Sequence, residues 1–427
     1  MASYDKERLK AVRVVESLRS GIPTRYTTRE LPDLRPDLMN TVRDDLERFA
    51  QDGLPTMGRL VWGEYGQGKS HLLTMVEHLA LDMKFAVSFV TLSREVSCHN
   101  LFNFYRRVAP VVRHFDSNVP GLESELKQKK SSDLPSSPIQ QLDRYPHRLP
   151  AIVMECMLYT RMRDEGVNDL YNDLIGIRLR LPEIRRLARE VRMEELLRDL
   201  PRFRIGDHAQ AYFGVWADAI RFCGYRGWVI LIDEVELIAR LVRGSRLDAY
   251  RNLNWLLNWS GTMPFPIYTV GAAAKSLQEK VYGGTEFRPD DRSVIPQMAE
   301  ERLGVEERDR MTMFFEHAVS DHCLTIGPVG EGDRDKLLQQ LVSLHGKAHA
   351  WDPPDFETLR AKLSRLSEDA PIRTFIRGFL EALDQTLVTG QTPEIEPSTL
   401  IENPTDESPD FLAEEETGQQ ETVAPTA

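Results

Sequence analysis

The sequence predicts an α/β fold built on a parallel sheet, and three observations predict it. The first is Gly63-Glu64-Tyr65-Gly66-Gln67-Gly68-Lys69-Ser70, a complete G-x-x-x-x-G-K-S pattern. It lies between the apolar run Leu60-Val61-Trp62 and a helix predicted over 71–81. The second is Gly227-Trp228-Val229-Ile230-Leu231-Ile232-Asp233-Glu234, an apolar run that ends in two carboxylates. The third is a pair of further strand-like runs, 85–92 and 266–271, rich in β-branched and aromatic residues as buried parallel strands are. Strand, glycine loop and helix, followed later by a strand ending in acids, together describe a P-loop NTPase.

Each part has a chemical reason. Glycines at 63, 66 and 68 let backbone N–H groups approach phosphate oxygens without an intervening Cβ. The helix N-terminus behind them favours negative charge. Lys69 supplies a compact cation to the β- and γ-phosphates, and the Ser70 hydroxyl is a Mg²⁺ ligand. Gly63, Glu64, Tyr65, Gly66, Gln67, Gly68, Lys69, Ser70 and His71 are therefore the expected cofactor-binding stretch for ATP. Asp233 at the end of its strand would hold the metal with Ser70. Glu234 would polarise the attacking water as general base, which makes Glu234 and Lys69 the expected catalytic residues. Thr269 stands near the end of the third apolar run, where it either senses the γ-phosphate or is an ordinary strand threonine.

The remaining chain is mostly helical in pattern. Leu9, Val12, Val15 and Leu18 mark an N-terminal helix over 4–19, and a second follows Pro36. These elements either pack beside the nucleotide pocket or brace the N-terminus. Lys69 and Asp233 are 164 residues apart in the sequence, far more than a minimal βαβ unit needs. Amphipathic helices over about 100–207 fill that interval as an insertion. Its segment 178–202 is dense in Arg and Glu, either a basic surface for phosphate or a solvated helix face with paired charges. Arg288, Arg292 and Arg302 are arginine-finger candidates, with surface ion pairing as the alternative for each. From 305 to 387 the pattern is helical again and suits a lid. Pro371-Ile372-Arg373 opens its last helix, where Arg373 either reaches back to the γ-phosphate or is a helix-surface arginine. The expected divisions are 1–53, a core over 54–304, a lid over 305–390 and an acidic tail over 391–427.

Composition excludes several classes. Apolar content of 41% and charged content of 28% are those of a soluble globular protein. No stretch is apolar for the length of a membrane span, and the charged first residues lack a signal core, so no membrane partner and a cytoplasmic location are expected. The net charge of −12 is concentrated at one end, because ten carboxylates and no Lys or Arg lie within 391–427. The body is thus near neutral, and no global field argues for or against nucleic acid. Four scattered cysteines form no metal-binding spacing and read as buried thiols.

With these residues in hand, the chain resembles the ATP-binding proteins of BREX-type phage-resistance systems, relatives of AAA+ ATPases. The resemblance spans about 11–384. It rests on Val14-Val15-Glu16-Ser17-Leu18-Arg19-Ser20-Gly21-Ile22-Pro23, the glycine loop, Leu231-Ile232-Asp233-Glu234-Val235-Glu236, Leu344-His345-Gly346-Lys347-Ala348, and Pro371-Ile372-Arg373 with Leu383-Asp384. It implies an AAA+-like ATPase acting beside a DNA methyltransferase and other defence-system proteins, with DNA and further copies of the chain as candidate partners. Two other functions stay open. One is a nucleotide-gated switch with little turnover, which would have no need of Glu234. The other is a replication- or transposition-type DNA loader, which would need a winged helix that the sequence does not reveal.

Overall fold

Five strands form one parallel sheet in the computed structural model, which describes residues 2–21, 24–52, 56–117, 119–129, 142–159, 162–286, 288–363 and 371–393. The strands are β1 (Arg59–Gly63), β2 (Ala86–Thr91), β3 (Trp228–Asp233), β4 (Ile267–Ala274) and β5 (Leu324–Ile326), ordered β2-β3-β4-β1-β5. Residues alternate between two buried faces, as a period of two requires. Val61, Val87, Val229, Leu231 and Val270 pack on one side. Leu60, Trp62, Trp228, Ile230 and Ile232 pack on the other. Both faces are apolar, so the strands read as continuous hydrophobic runs.

Three helices precede the glycine loop and a fourth follows it directly. They are α1 (Ala2–Arg19), α2 (Arg25–Glu30) and α3 (Pro36–Asp52), with α4 (Lys69–Asp82) leaving the loop. Helix α3 lies on the sheet through Val42, Leu46 and Phe49. Its Asp45 carboxylate accepts from Arg59 Nε at 2.6 Å and from the Tyr268 hydroxyl at 2.9 Å, pinning the helix to β1 and β4. Between β2 and β3 run α5 (Leu101–Val108), α6 (Glu123–Lys127), α7 (Leu149–Leu158), α8 (Asp164–Leu174), α9 (Leu181–Glu190) and α10 (Ile205–Phe222). The helical stretch thus continues past the expected 207 to Phe222. On α9 two of the arginines are paired along the surface: Arg186 with Glu190 at 2.8 Å and Arg189 with Glu194 at 2.6 Å. That is a solvated, charge-paired face.

After β3 come α11 (Arg243–Leu256), α12 (Asp291–Leu303), α13 (Val305–Ala318), α14 (Glu331–His349), α15 (Phe356–Leu363) and α16 (Ile372–Thr389). Strand β5 falls inside the stretch 305–387 that reads as helical. It has three residues, too few for a period of two to stand out. Helices α14 and α16 form a separate apolar cluster with α1, through Leu337, Leu341 and Phe379 against Val14, Val15 and Leu18. Asp384 of α16 joins the three helices: both its oxygens accept from Arg19 Nη2 at 2.8 Å, and Oδ1 meets His345 Nε2 at 3.0 Å. Trp351 Nε1 donates to His345 Nδ1 at 3.0 Å, so the imidazole proton sits on Nε2. No described helix is long and apolar enough to cross a membrane. All four cysteines are free, and burial raises Cys98 and Cys156 to about 12. The acidic tail expected over 391–427 lies, from 394 on, outside the described residues.

Candidate nucleotide site

Parallel strands bring their C-terminal ends to one edge, and that edge carries the predicted loop and the predicted acids. Strands β1 and β3 are separated by β4 alone. Two interstrand spacings put the loop and the acid pair roughly 10 Å apart across the sheet. The loop enters α4 through Gly68, whose φ of 93° is left-handed and disfavours any other residue. Gly66 is also left-handed at 75°, and a Cβ there would meet Pro371 Cβ at 3.0 Å. Lys69 Nζ donates to the Gly63 and Glu64 carbonyls, both at 3.3 Å. These are long for charged hydrogen bonds.

Asp233 is buried, and its Oδ1 accepts from the Glu234 amide at 3.0 Å. Burial raises the Asp233 pKa, while the Ser70 hydroxyl, the Glu234 amide and Lys69 pull it back. The Ser70 hydroxyl and the Asp233 carboxylate are the hard oxygen donors that Mg²⁺ prefers. Glu234 has a left-handed φ of 58°, a conformation that costs a non-glycine residue free energy and concentrates at functional sites. Its carboxyl is raised, first by burial and then by Asp233 beside it.

A cavity of about 510 Å³ opens beside the loop, a volume within the range of small-ligand sites. One wall is the loop from Tyr65 to His71 with Glu234; the opposite wall comes from α1, α2, α14 and α16, including Leu18, Leu337, Ile372 and Arg373. The N-terminal helices therefore line the cavity as well as bracing the fold. Arg373 sits where its amide donates to Gly66 O at 3.3 Å and its Nη1 to the Tyr65 hydroxyl at 2.9 Å. His71 packs between α4 and α2, its Nδ1 3.4 Å from the Thr28 hydroxyl. Burial, with a smaller push from Arg35, lowers it to about 4, so it is neutral.

Two sequence expectations are corrected. Thr269 is not at the site. It pairs in register with Ile230, three residues short of Asp233 on β3, or roughly 10 Å back along the strand. It is fully buried in the sheet, and its hydroxyl has no partner among the described residues. Arg288 is only 3% exposed and donates to the Ala239 carbonyl at 3.2 Å, so it cannot be offered to a neighbouring subunit. Arg292 and Arg302 are exposed.

Two other groups at the site escaped the motif search. Glu236 is 2% exposed and its Oε2 has no partner among the described residues. Burial and its neighbour Glu234 raise it to about 7. The alternation Asp233-x-x-Glu236 was visible, but nothing in it says that the second acid turns inward. Arg35 lines the cavity beside Gln67. As one arginine in a polar linker, it had no signal.

No curated protein matches the chain. A family model described as BREX system ATP-binding protein BrxC/D matches residues 7–118, which hold α1 to α5, the glycine loop and the cavity's N-terminal wall. The match supports an ATP-binding role in a BREX system. Over residues 7–118 the chain is similar to the BREX system ATP-binding proteins.

Proposed function

We propose that the chain is a Mg²⁺-dependent ATPase of the P-loop, AAA+-like class, whose turnover drives other components of a BREX-type defence system or the DNA they act on. The observation that carries this reading is the placement of the glycine loop, with Lys69 and Ser70, at the same sheet edge as Asp233, with Glu234 on the wall of the same cavity. A glycine loop alone would bind phosphate; a loop joined to two acids suits hydrolysis.

In this mechanism the loop amides and the start of α4 hold the phosphates. Lys69 turns from its two weak carbonyl contacts to the β- and γ-phosphates. Ser70 and Asp233 would hold Mg²⁺, which would supply charge neutralisation on the phosphate oxygens. Glu234 accepts the proton of the attacking water. Its raised pKa makes it a stronger base than an exposed glutamate, at the cost of losing activity earlier as pH falls. Arg373, already against the loop, meets the γ-phosphate from the helical side. The working division is a sheet core over 54–304 that borrows β5, and a helical unit drawn from both ends of the chain.

Phosphate release from ATP and Mg²⁺, measured with the chain alone and then with DNA and the co-encoded proteins, tests the proposal. Turnover that disappears in Glu234→Gln while ATP binding persists is the expected result. ATP binding without phosphate release under every condition would leave the nucleotide-gated switch in its place.

A further inference from the structure

We infer that Arg35 is a nucleotide-binding residue of the cavity, holding the nucleoside and α-phosphate end of ATP and not its γ-phosphate. The inference rests on the ATP-binding reading above and adds a residue and a role to it. Arg35 lies on the cavity wall between α2 and α3, half-buried, beside Gln67 and His71. A guanidinium partly withdrawn from water needs an anion or several acceptors to offset the lost hydration. Among the described residues the Arg35 guanidinium has one hydrogen bond, from Nη2 to the Gln67 carbonyl at 3.4 Å. No carboxylate among the described residues stands within ion-pairing distance of it. The two acids that influence it from farther off are Asp33 and Asp333, and both have other partners. Asp33 Oδ1 accepts from the Arg35 amide at 2.8 Å, and Asp333 pairs with Lys336 at 2.9 Å.

Position decides which part of the ligand Arg35 meets. The γ end of the site is marked by Asp233 and Glu234, and the cations acting on Glu234 are Lys69 and Arg240. Arg35 acts instead on His71, in the first turn of α4 and on the side facing Thr28. His71 is neutral, so Arg35 supplies the positive charge on this flank. A phosphoryl group held by the amides at the start of α4, with its sugar toward α2, would give Arg35 the acceptors it lacks.

Calorimetric binding of ATP and of ADP, both with Mg²⁺, to the full chain tests the assignment. The variants are Arg35→Ala, Arg35→Gln and Arg373→Ala. Arg35→Ala is expected to weaken ATP and ADP by the same factor, about tenfold, as loss of a charged hydrogen bond implies. Arg373→Ala is expected to weaken ATP more than ADP. Arg35→Gln removes the charge while an amide can still reach the Gln67 carbonyl, so it carries the test if the alanine variant melts early. Wild-type affinity for both nucleotides in the Arg35 variants overturns the inference, as does a loss confined to ATP. A wild-type chain that binds neither nucleotide overturns the ATP-binding reading itself, and that result is distinct from either.

Discussion

The two walls of the cavity are built differently. The sheet wall is made of residues on strand ends and one tight loop, held by a buried backbone ladder. The helical wall joins α1 to α14 and α16, elements more than 300 residues apart in sequence, through packed apolar side chains and the Asp384 junction. A ladder of hydrogen bonds has one register, so the sheet wall holds its groups at set spacings. Helix packing tolerates small sliding motions and is the usual place for closure around a ligand. The sheet wall is thus suited to chemistry, and the helical wall to holding and sensing the ligand.

The largest effects should come from the sheet wall. Lys69→Ala should abolish measurable ATP binding with the melting temperature nearly unchanged. Glu234→Gln should lower turnover by roughly 10³-fold, in the range of a lost general base, with ATP affinity retained. Equal turnover in Glu234→Gln and wild type would remove Glu234 from the chemistry.

The helical wall should fail through packing. Phe379 is fully buried among α1, α14 and α16, and Phe379→Ala should cost about 3–4 kcal/mol. Denaturant melts followed by fluorescence would report it. If the walls are separable, ATP affinity falls because the helical wall loosens, while the amide protection of β1 to β4 in hydrogen exchange stays at the wild-type level. Loss of protection across the sheet would show that the two walls unfold as one.

A smaller effect belongs to Glu236. Its pKa is raised to about 7 by burial and by Glu234, so the folded state favours its protonated form. The stability this gives is complete below the unfolded value near 4.5 and is lost as pH rises through about 7. Glu236→Gln should therefore stabilise the protein by roughly 3 kcal/mol at pH 8 and by little at pH 5. A gain that does not change with pH would contradict an inward, reluctantly ionised carboxyl.

The smallest effect is expected at Thr269, within the sheet yet away from the site. Thr269→Val replaces a partnerless buried hydroxyl with a methyl of similar size. Stability should change by less than about 1 kcal/mol, and turnover should be unchanged. A selective loss of turnover would restore the γ-phosphate role that its register argues against.

The sheet wall was largely legible because its signals are local. The loop, the acid pair and four strand runs are each contiguous, and parallel strands gather their C-terminal ends whatever the connections between them. The boundaries moved little: the third strand-like run extends to Ala274, and the N-terminal helix begins at Ala2. Its facing residues were less well read. Leu9 stands 55% exposed, and Ala11, Val14, Val15 and Leu18 form the buried stripe. Two faces of a short helix can look equally apolar until the partner that covers one of them is known.

What the sequence by itself determined is the chemistry-bearing edge: a glycine loop that must turn, a lysine and serine at a helix start, and acids at the end of a buried strand. These follow from local backbone sterics and hydrophobic runs, which a single stretch of chain contains. Tertiary structure alone decided the rest. It turned Glu236 inward, withdrew Thr269 into the sheet and buried Arg288. It set α1 against α14 and α16, and left Arg35 at the cavity with a carbonyl for its hydrogen-bond partner. Each of those outcomes depends on which distant surface covers a residue, and burial, partnering and register are properties of the packed chain that no local pattern encodes.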